Sequence, residues 1–308
     1  MQKLYSLVLA AGTSILSSGC QTDFTTVTYN TALLPQEISP IDADKNAPIM
    51  AEKLQELSRD EETKHIVLAQ EVFAKEYDAM LEGAAEFPYE TARPEKPYML
   101  GDGLKMFSDF EITGLVRKPW KYCNGRLEDG SDCLTAKGAA YFTVRIEGIE
   151  LVGVDVHFDS GKSVKDEEAK TLQMQQFIGD FNDIVRDRPA IVTGDFNTIN
   201  GVPLGIMKLG TGLQDVCGVL TCPDQRIDRV YFKNTPWVTL TPKSYTLDTA
   251  IFVDEDGEPL SDHLPIFVDW NIKIGPQHLH PLIDHFSQRE ENEEEPQQQK
   301  GLEGLLAH

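Results

Sequence analysis

The sequence predicts a layered α/β fold in one large domain, and three observations support that prediction. Segments rich in β-branched and aromatic residues occur together with a few helical segments, in mixed order, across residues 24–270. No internal repeat and no proline- or glycine-rich linker divides that range. Apolar residues make up 41% of the 308-residue chain, which is enough to build a sizeable core.

The individual elements follow from residue patterns in chain order. A first strand at 24–29 ends at Asn30, and a helix with apolar residues on one face follows at 47–60. The clearest helix begins where Ser163 and Asp166 form a capping motif, and it continues with apolar residues at helical spacing. The remaining predicted strands are 65–73, 102–112, 139–146, 149–158, 189–193, 226–232 and 264–270.

The N-terminal segment 1–20 has the form of a signal peptide, because Lys3 precedes a mostly apolar run that is too short to span a membrane. It ends in Gly19-Cys20, which resembles a bacterial lipoprotein cleavage site, although Ser17 stands where that pattern prefers leucine. We therefore expect export. The protein would reside in the bacterial periplasm or outer membrane as a lipoprotein held at a membrane surface by lipidated Cys20, or it would be secreted.

The rest of the chain divides into two expected regions. The folded domain is expected to span 21–272, and the protein is expected to be a monomer. An acidic, largely disordered tail is expected at 273–308, where hydrophobic periodicity is lost.

The cysteines agree with export. Apart from Cys20, the chain has two local pairs of cysteines, and in an oxidising compartment such pairs favour disulfides. A zinc site is disfavoured because neither pair has a histidine at ligand spacing, and buried free thiols are the alternative. The expected disulfides are Cys123–Cys133 and Cys217–Cys222.

The net charge of −22 and the sequence pI near 4.6 argue against tight binding to a nucleic-acid backbone, which usually requires a basic surface. The charge does not decide the question, because an acidic surface also serves solubility.

Polar residues occupy the ends of several predicted strands, where a core strand has no need of them. Burying an unpaired carboxylate is costly, and strand ends of an α/β sheet line a shared crevice. One such residue alone has ordinary explanations: Glu71 could lie on an edge strand, and His157 could be structural. Together they form a coherent set of carboxylates, amides and histidines: Asn30, Glu71, His157, Asp195, Asn197, Asp228, Asp262 and His263.

The chemistry of this set fits metal-assisted attack of water on a phosphodiester. Carboxylate oxygens suit Mg²⁺ better than zinc, and Mn²⁺ or another divalent cation is the alternative. Histidines exchange protons near neutral pH. No Gly-x-Ser-x-Gly motif and no plausible serine or cysteine nucleophile is present in the sequence.

The motifs "TYN", "AQE", "DVHFDSG", "GDFN", "RIDRV" and "SDHLP" occur in that order across 24–270 and resemble the endonuclease/exonuclease/phosphatase superfamily. The resemblance implies a four-layered α/β/β/α sandwich with two central mixed sheets and a site between them. It also implies that Glu71 is the principal metal ligand, with Asn30 and Asp262 close by.

The resemblance assigns roles to the remaining residues as well. Asp195 would hold or deprotonate the attacking water, and Asn197 would assist it at the phosphate. Asp228 would orient His263, and His157 would flank the phosphate with His263. Members of the superfamily divide the role of base differently between the Asp195 and His263 positions, so that assignment stays open.

Three functional alternatives remain. The cysteine pair followed by Ala-Lys-Gly in 120–146 resembles secreted bacterial sphingomyelinases, whereas "HFDSG" after His157 departs from their motif. An extracellular deoxyribonuclease would use the same catalytic set. Arg117, Lys118 and Lys121 around Trp120, together with Arg226 and Arg229 beside Asp228, could bind either a lipid headgroup or a short stretch of DNA. A catalytically silent binding protein is the third alternative.

Overall fold

The structure is a computed structural model that describes residues 21–94, 100–126, 132–223 and 226–275. The predicted signal peptide, Cys20 and nearly all of the predicted tail lie outside these residues. The chain divides into two units. One comprises 22–235 and 240–272, and the described residues of the other are Gln21, 236–239 and 273–275. No helix in the described ranges has both the length and the apolar character needed to cross a membrane.

Strands and helices occur in mixed order along the chain, as predicted. The strands are β1 Gln21–Asn30, β2 His65–Gln70, β3 Tyr89–Glu90, β4 Lys105–Ser108, β5 Ile112–Pro119, β6 Gly138–Ile146, β7 Ile149–His157, β8 Ala190–Asp195, β9 Gln214–Asp215, β10 Asp228–Lys233, β11 Val238–Leu247 and β12 Ile266–Ile274. The α-helices are α1 Ala43–Ser58, α2 Lys75–Ala84, α3 Val164–Val185 and α4 Gly201–Thr211.

These strands form two mixed sheets of six strands each. The first has the order β11-β12-β1-β2-β4-β3, and the second has the order β5-β6-β7-β8-β10-β9. The neighbours β1 and β2 in the first sheet and β7 and β8 in the second are parallel, whereas β4 lies antiparallel to β2, β6 to β7 and β10 to β8. The carboxyl ends of these parallel strands carry the polar motifs.

Each sheet has its own helix layer and its own apolar core. Side chains of β1 and β2 share one buried cluster with those of α1 and α2, to which Val27, Val67, Met50 and Leu81 belong. Side chains of β7 and β8 pack against α3 and α4 around the fully buried Phe177. The opposite faces of the sheets meet, since Gln70 of β2 donates a hydrogen bond to Asp155 of β7. The predicted four-layered α/β/β/α sandwich is confirmed.

Several local predictions are confirmed and others are wrong. The capping box of α3 is present, with Ser163 Oγ accepting from the Asp166 amide and the Asp166 carboxylate accepting from the Ser163 amide. The strand predicted at 102–112 is instead β4 followed by the first residue of β5, with a turn between them. The last strand runs to Ile274, and Glu71 lies after the end of β2 rather than inside a strand. Both expected disulfides are formed, Cys123–Cys133 and Cys217–Cys222.

Candidate active site

The strand register brings the polar strand ends together at one edge of the two sheets. His157 at the end of β7 is the register partner of Asp195 at the end of β8, and Asp195 is also the partner of Asp228 at the start of β10. In the first sheet Asn30 at the end of β1 pairs with Gln70 at the end of β2, directly before Glu71. Residues far apart in sequence therefore share one crevice.

Asp195 lies at the centre of this crevice and is only 1% exposed. Its Oδ1 accepts the amide N–H of Asn197 at 2.7 Å, and its Oδ2 accepts the side-chain amides of Asn197 at 3.0 Å and Asn30 at 3.1 Å. Burial and the nearby charge of Asp228 raise the pKa of Asp195 to about 7. The charge of His263 and the hydrogen bond from the Asn197 amide oppose that rise in pKa.

Glu71 faces Asp195 across the crevice. Its Oε1 accepts a hydrogen bond from Asn30 Nδ2 at 3.0 Å and lies 3.4 Å from Nε2 of His157. Burial raises the pKa of Glu71, and the charge of Lys137 opposes that rise. The backbone of Glu71 has φ 60°, a left-handed conformation that costs energy for a residue other than glycine and is often found at functional sites.

His157 is completely buried, and neither of its ring nitrogens has a hydrogen-bond partner in the described structure. Burial lowers the pKa of His157 well below its ordinary value, and the charges of Lys137 and His263 add to this effect. The backbone carbonyl of His157 accepts a hydrogen bond from Trp120 Nε1 at 2.8 Å, so Trp120 supports the end of β7. Because neither nitrogen of this buried, neutral imidazole has a hydrogen-bond partner among the described residues, either one is available to bind a ligand.

His263 and Asp228 form the predicted histidine–carboxylate pair. Nδ1 of His263 lies 2.7 Å from Oδ2 of Asp228, and Nε2 of the same ring lies 4.0 Å from Oδ2 of Asp195. Burial alone would lower the pKa of His263, but the hydrogen bond and charge of Asp228 outweigh burial and raise the pKa to about 9. The ring is therefore oriented by one carboxylate and faces another.

The remaining predicted residues lie at the rim. Asn197 donates from its side chain to the carbonyl of Phe158 at 3.0 Å as well as to Asp195, and its φ is 49°. Asp262 is exposed and lines a cleft of about 310 Å³ with Asp228 and His263. Among the described residues, Asp262 belongs to neither group of closely spaced ligand atoms, so the structure brings Glu71 and Asn30 together but leaves Asp262 outside.

Two buried polar pairs near the site were not identified from the sequence. Gln70 Nε2 donates to Asp155 Oδ1 at 2.6 Å between the two sheets, and burial raises the pKa of Asp155 well above its usual range. Lys137 Nζ lies 2.6 Å from Asp132 Oδ1, and its charge acts on both Glu71 and His157. The sequence features that could have pointed to these pairs are Gln70 in "AQE" and Lys137 in the Ala-Lys-Gly segment.

Four of the five cations named from the sequence are paired with carboxylates, and the fifth, Lys121, is exposed. Arg117 Nη1 contacts Asp102 at 2.6 Å, and Lys118 lies 3.6 Å from Asp180. Both Arg226 and Arg229 contact Asp215, at 3.2 and 3.8 Å. These four side chains therefore form no open basic track for a nucleic-acid backbone.

The donor set is suited to a hard divalent cation. Ligand atoms of Glu71, His157 and Asp195 lie within 4.8 Å of one another, and so do those of Asp195, Asp228 and His263. The carboxylates of Glu71 and Asp195 supply the oxygen donors that Mg²⁺ prefers. Asn30 directs its NH2 group toward both of them, while its Oδ1 accepts from the Ala32 amide at 3.1 Å. His157 supplies nitrogen atoms that no protein group satisfies in the described structure. The residues present therefore fit a magnesium-type site.

Comparison with known proteins agrees with this architecture. A sequence profile of the Endonuclease/Exonuclease/phosphatase family matches residues 27–263. A sphingomyelinase from Mycobacterium tuberculosis is 27% identical over 277 residues, which covers 81% of this chain and 53% of that protein. The chain thus spans about half the length of this relative.

Solved structures with the same fold include proteins of different kinds. A variant of beta toxin from Staphylococcus aureus with bound magnesium ions has a TM-score of 0.59 at 16% identity, covering 80% of this chain and 99% of that one. TDP2 from D. rerio, complexed with a single-strand DNA product, has a TM-score of 0.63 at 15% identity, with coverages of 81% and 99%. At these identities the likeness concerns the fold alone. Because the profile match extends over most of the folded residues, the chain belongs to the Endonuclease/Exonuclease/phosphatase family.

Proposed function

We propose that this protein is a divalent-metal-dependent hydrolase of phosphodiester bonds, and that its substrate is the headgroup of a phospholipid such as sphingomyelin. One observation carries the proposal: Asn30, Glu71, His157, Asp195 and His263 converge from both sheets on one crevice, with consecutive contacts between 3.0 and 4.0 Å. That arrangement combines oxygen ligands for a cation with groups that exchange protons, and it contains no serine or cysteine nucleophile. We assign the attack on phosphorus to water, which the cation and these groups would activate.

Each residue has a role in this proposal. Glu71 and Asn30 would hold the cation, with Asp262 joining them from the rim, and a bound Mg²⁺ would offset negative charge on the phosphate. The attacking water would lie against Asp195 and His263, whose facing atoms are 4.0 Å apart, and lose its proton to this pair. Asn197 would hold Asp195 in place through its two hydrogen bonds and contact the phosphate from the rim. His157 would flank the phosphate opposite His263.

Two observations favour a lipid headgroup over DNA. The net charge is −22, and Arg117, Lys118, Arg226 and Arg229 are all engaged by carboxylates. A single headgroup needs only the catalytic crevice, whereas a nucleic acid also needs cations for the flanking phosphates. The named sphingomyelinase relative supports the same choice, and the TDP2 likeness makes DNA the alternative to test.

Export is part of the proposal. The signal-like segment at 1–20 and two disulfides within the described residues both suit an oxidising compartment outside the cytoplasm. Lipidation of Cys20 would hold the enzyme near its substrate membrane, whereas cleavage without lipidation would release it.

The test is a comparison of substrates at equal enzyme concentration with Mg²⁺. Choline-phosphate release from sphingomyelin vesicles and nicking of supercoiled plasmid would be measured for the wild type and for Asp195→Asn. We expect the lipid reaction to exceed the plasmid reaction by at least ~100-fold in initial rate, and we expect the variant to lose at least ~1000-fold of it. Efficient plasmid nicking that Asp195→Asn abolishes would instead establish the nuclease, and no metal-dependent turnover of either substrate would refute the proposal.

A further inference from the structure

Helix α4 exposes an apolar face that the catalytic arrangement does not use. Its inner face is buried through Leu204 and Met207, which join the core beneath α3. The outer face carries Val202, Ile206 and Leu209, which are 70%, 54% and 89% exposed. Their i, i+4, i+7 spacing puts them on one stripe of the helix. A helix that is apolar on both faces usually has a partner on both.

The stripe continues beyond the helix at both ends. Ile199, which precedes α4, is 59% exposed, and Val219, which follows it, is 56% exposed. Leu209 and Val219 line the same surface groove, whose volume is about 560 Å³. We call these five residues, Ile199, Val202, Ile206, Leu209 and Val219, the α4 patch. Exposed apolar clusters of this kind commonly mark an interaction surface.

The charge around the patch differs from that of the rest of the protein. The chain contains 50 Asp and Glu residues, yet the segment from Phe196 to Gln214 contains none, and its only charged residue is Lys208. Carboxylates lie at the borders of the patch, since Asp215 lines the groove with Leu209 and Val219, and Glu167 lines the cleft with Ile199. A protein of net charge −22 is repelled by an anionic bilayer but not by a zwitterionic one, so a zwitterionic bilayer is the lipid surface that this apolar patch fits.

The patch also adjoins the candidate active site. Ile199 lines a cleft of about 660 Å³ together with Asn197, Thr198 and Asn200. Ile199 is two residues after Asn197, whose side chain donates a hydrogen bond to Asp195. A lipid whose tails lie among apolar side chains beginning at Ile199 would therefore have its phosphate close to the catalytic crevice.

We propose that the α4 patch docks the enzyme on the surface of a zwitterionic phospholipid bilayer, with Leu209, Ile206 and Val202 entering the boundary between headgroups and acyl chains. This inference rests on the proposed function for its choice of a lipid substrate. Docking at the Ile199 end of the patch would hold the Asn197 rim of the crevice beside the membrane surface.

The test measures binding separately from catalysis. The full chain would be mixed with phosphatidylcholine vesicles in EDTA, where metal-dependent turnover is absent, and the bound fraction would be measured by flotation. We expect Leu209→Ser and Ile206→Ser each to reduce the partition coefficient about tenfold, because each removes one exposed aliphatic side chain from the lipid, and the double variant to lose binding further. Ile38→Ser is the matched control, because Ile38 is 61% exposed and precedes α1 in the helix layer of the other sheet.

A second pair of assays keeps the two proposals distinct. With Mg²⁺, the α4 variants should hydrolyse a water-soluble phosphodiester within about twofold of the wild type while losing about tenfold on vesicles. If the wild type hydrolysed neither the soluble phosphodiester nor the vesicle lipid, the proposed function would be refuted, while the binding measured in EDTA would still test the docking proposal. Unchanged vesicle binding in the double variant, no vesicle binding by the wild type, or a wild-type dimer that Leu209→Ser converts to a monomer would overturn the docking proposal.

Discussion

The pairing of His263 with Asp228 makes a quantitative prediction about catalysis. Nδ1 of His263 lies 2.7 Å from Oδ2 of Asp228, and this contact fixes the ring so that Nε2 faces Asp195. Asp228→Asn keeps the shape of the side chain but removes its charge. A hydrogen bond to a charged group contributes about 1.5–3 kcal/mol, so the variant should lose about 10- to 150-fold in kcat/KM.

His263→Ala should be more damaging, because it removes the imidazole that exchanges the proton. Loss of a general acid–base group typically costs about 100- to 10,000-fold. If Asp228 acts only by orienting and charging His263, then the double variant should fall within about threefold of His263→Ala alone, because residues that act as one unit are not additive. Asp256→Asn, in an exposed loop, is the control and should keep full activity.

The assay is kcat/KM on a chromogenic phosphodiester at saturating Mg²⁺ for the three variants, the control and the wild type. Urea unfolding of each protein would show that the losses do not arise from instability. Losses that multiply in the double variant, as they do for independent sites, would contradict the reasoning. Asp228 would then act on the substrate or on the cation directly, and the 2.7 Å contact would have no catalytic role of its own.

Three further predictions concern the metal, the disulfides and pH. Glu71→Gln should leave the fold intact but raise the Mg²⁺ concentration needed for half-maximal activity at least tenfold, and an unchanged metal titration would exclude Glu71 as a ligand. Replacing Cys123 and Cys133 together by serine should lower the free energy of unfolding by about 3 kcal/mol, since the bond closes a loop with a sequence separation of 10; equal urea midpoints for variant and wild type would contradict this. Burial lowers the pKa of His65 below 6.5, so the folded state favours the neutral imidazole. The contribution of His65 to the free energy of unfolding should be complete above pH 6.5 and should fall at lower pH by at most about 1.4 kcal/mol per pH unit. Urea unfolding at several pH values should show that His65→Leu abolishes this part of the pH dependence.

Much of the candidate site could be predicted because strand ends are visible in sequence. Hydrophobic runs that end in "YN", "VH" and "GD" placed Asn30, His157 and Asp195 at the ends of β1, β7 and β8, where the structure has them. The sequence could not show the register that makes His157 and Asp195 neighbours, because register depends on pairing between segments far apart in the chain. The resemblance to the endonuclease/exonuclease/phosphatase superfamily indicated instead that these residues belong to one site.

The elements that were missed have weak local signals. Helix α4 contains Gly201, Gly205 and Gly210 and also Pro203, and each glycine costs about 1 kcal/mol relative to alanine within a helix. Burial of Leu204 and Met207 against the second core outweighs that cost. Strand β11 contains a proline, which is typical of edge strands, and β11 is indeed at the edge of its sheet.

The turn at Glu71 explains how Gln70, the last residue of β2, and Glu71, which follows it, can both face the second sheet. Side chains alternate between the faces of a strand, so if Gln70 points toward the second sheet, a regular residue 71 would point toward the helix layer. Gln70 does reach the second sheet, because it donates to Asp155, yet Glu71 also reaches it and lies 3.4 Å from His157. The left-handed backbone of Glu71, at φ 60°, ends the alternation at that point and makes both contacts compatible. A glutamate in this conformation is strained, and that strain is the cost of placing a carboxylate between the sheets. Glycine would adopt the same conformation without strain, but it would not supply the carboxylate that the site requires.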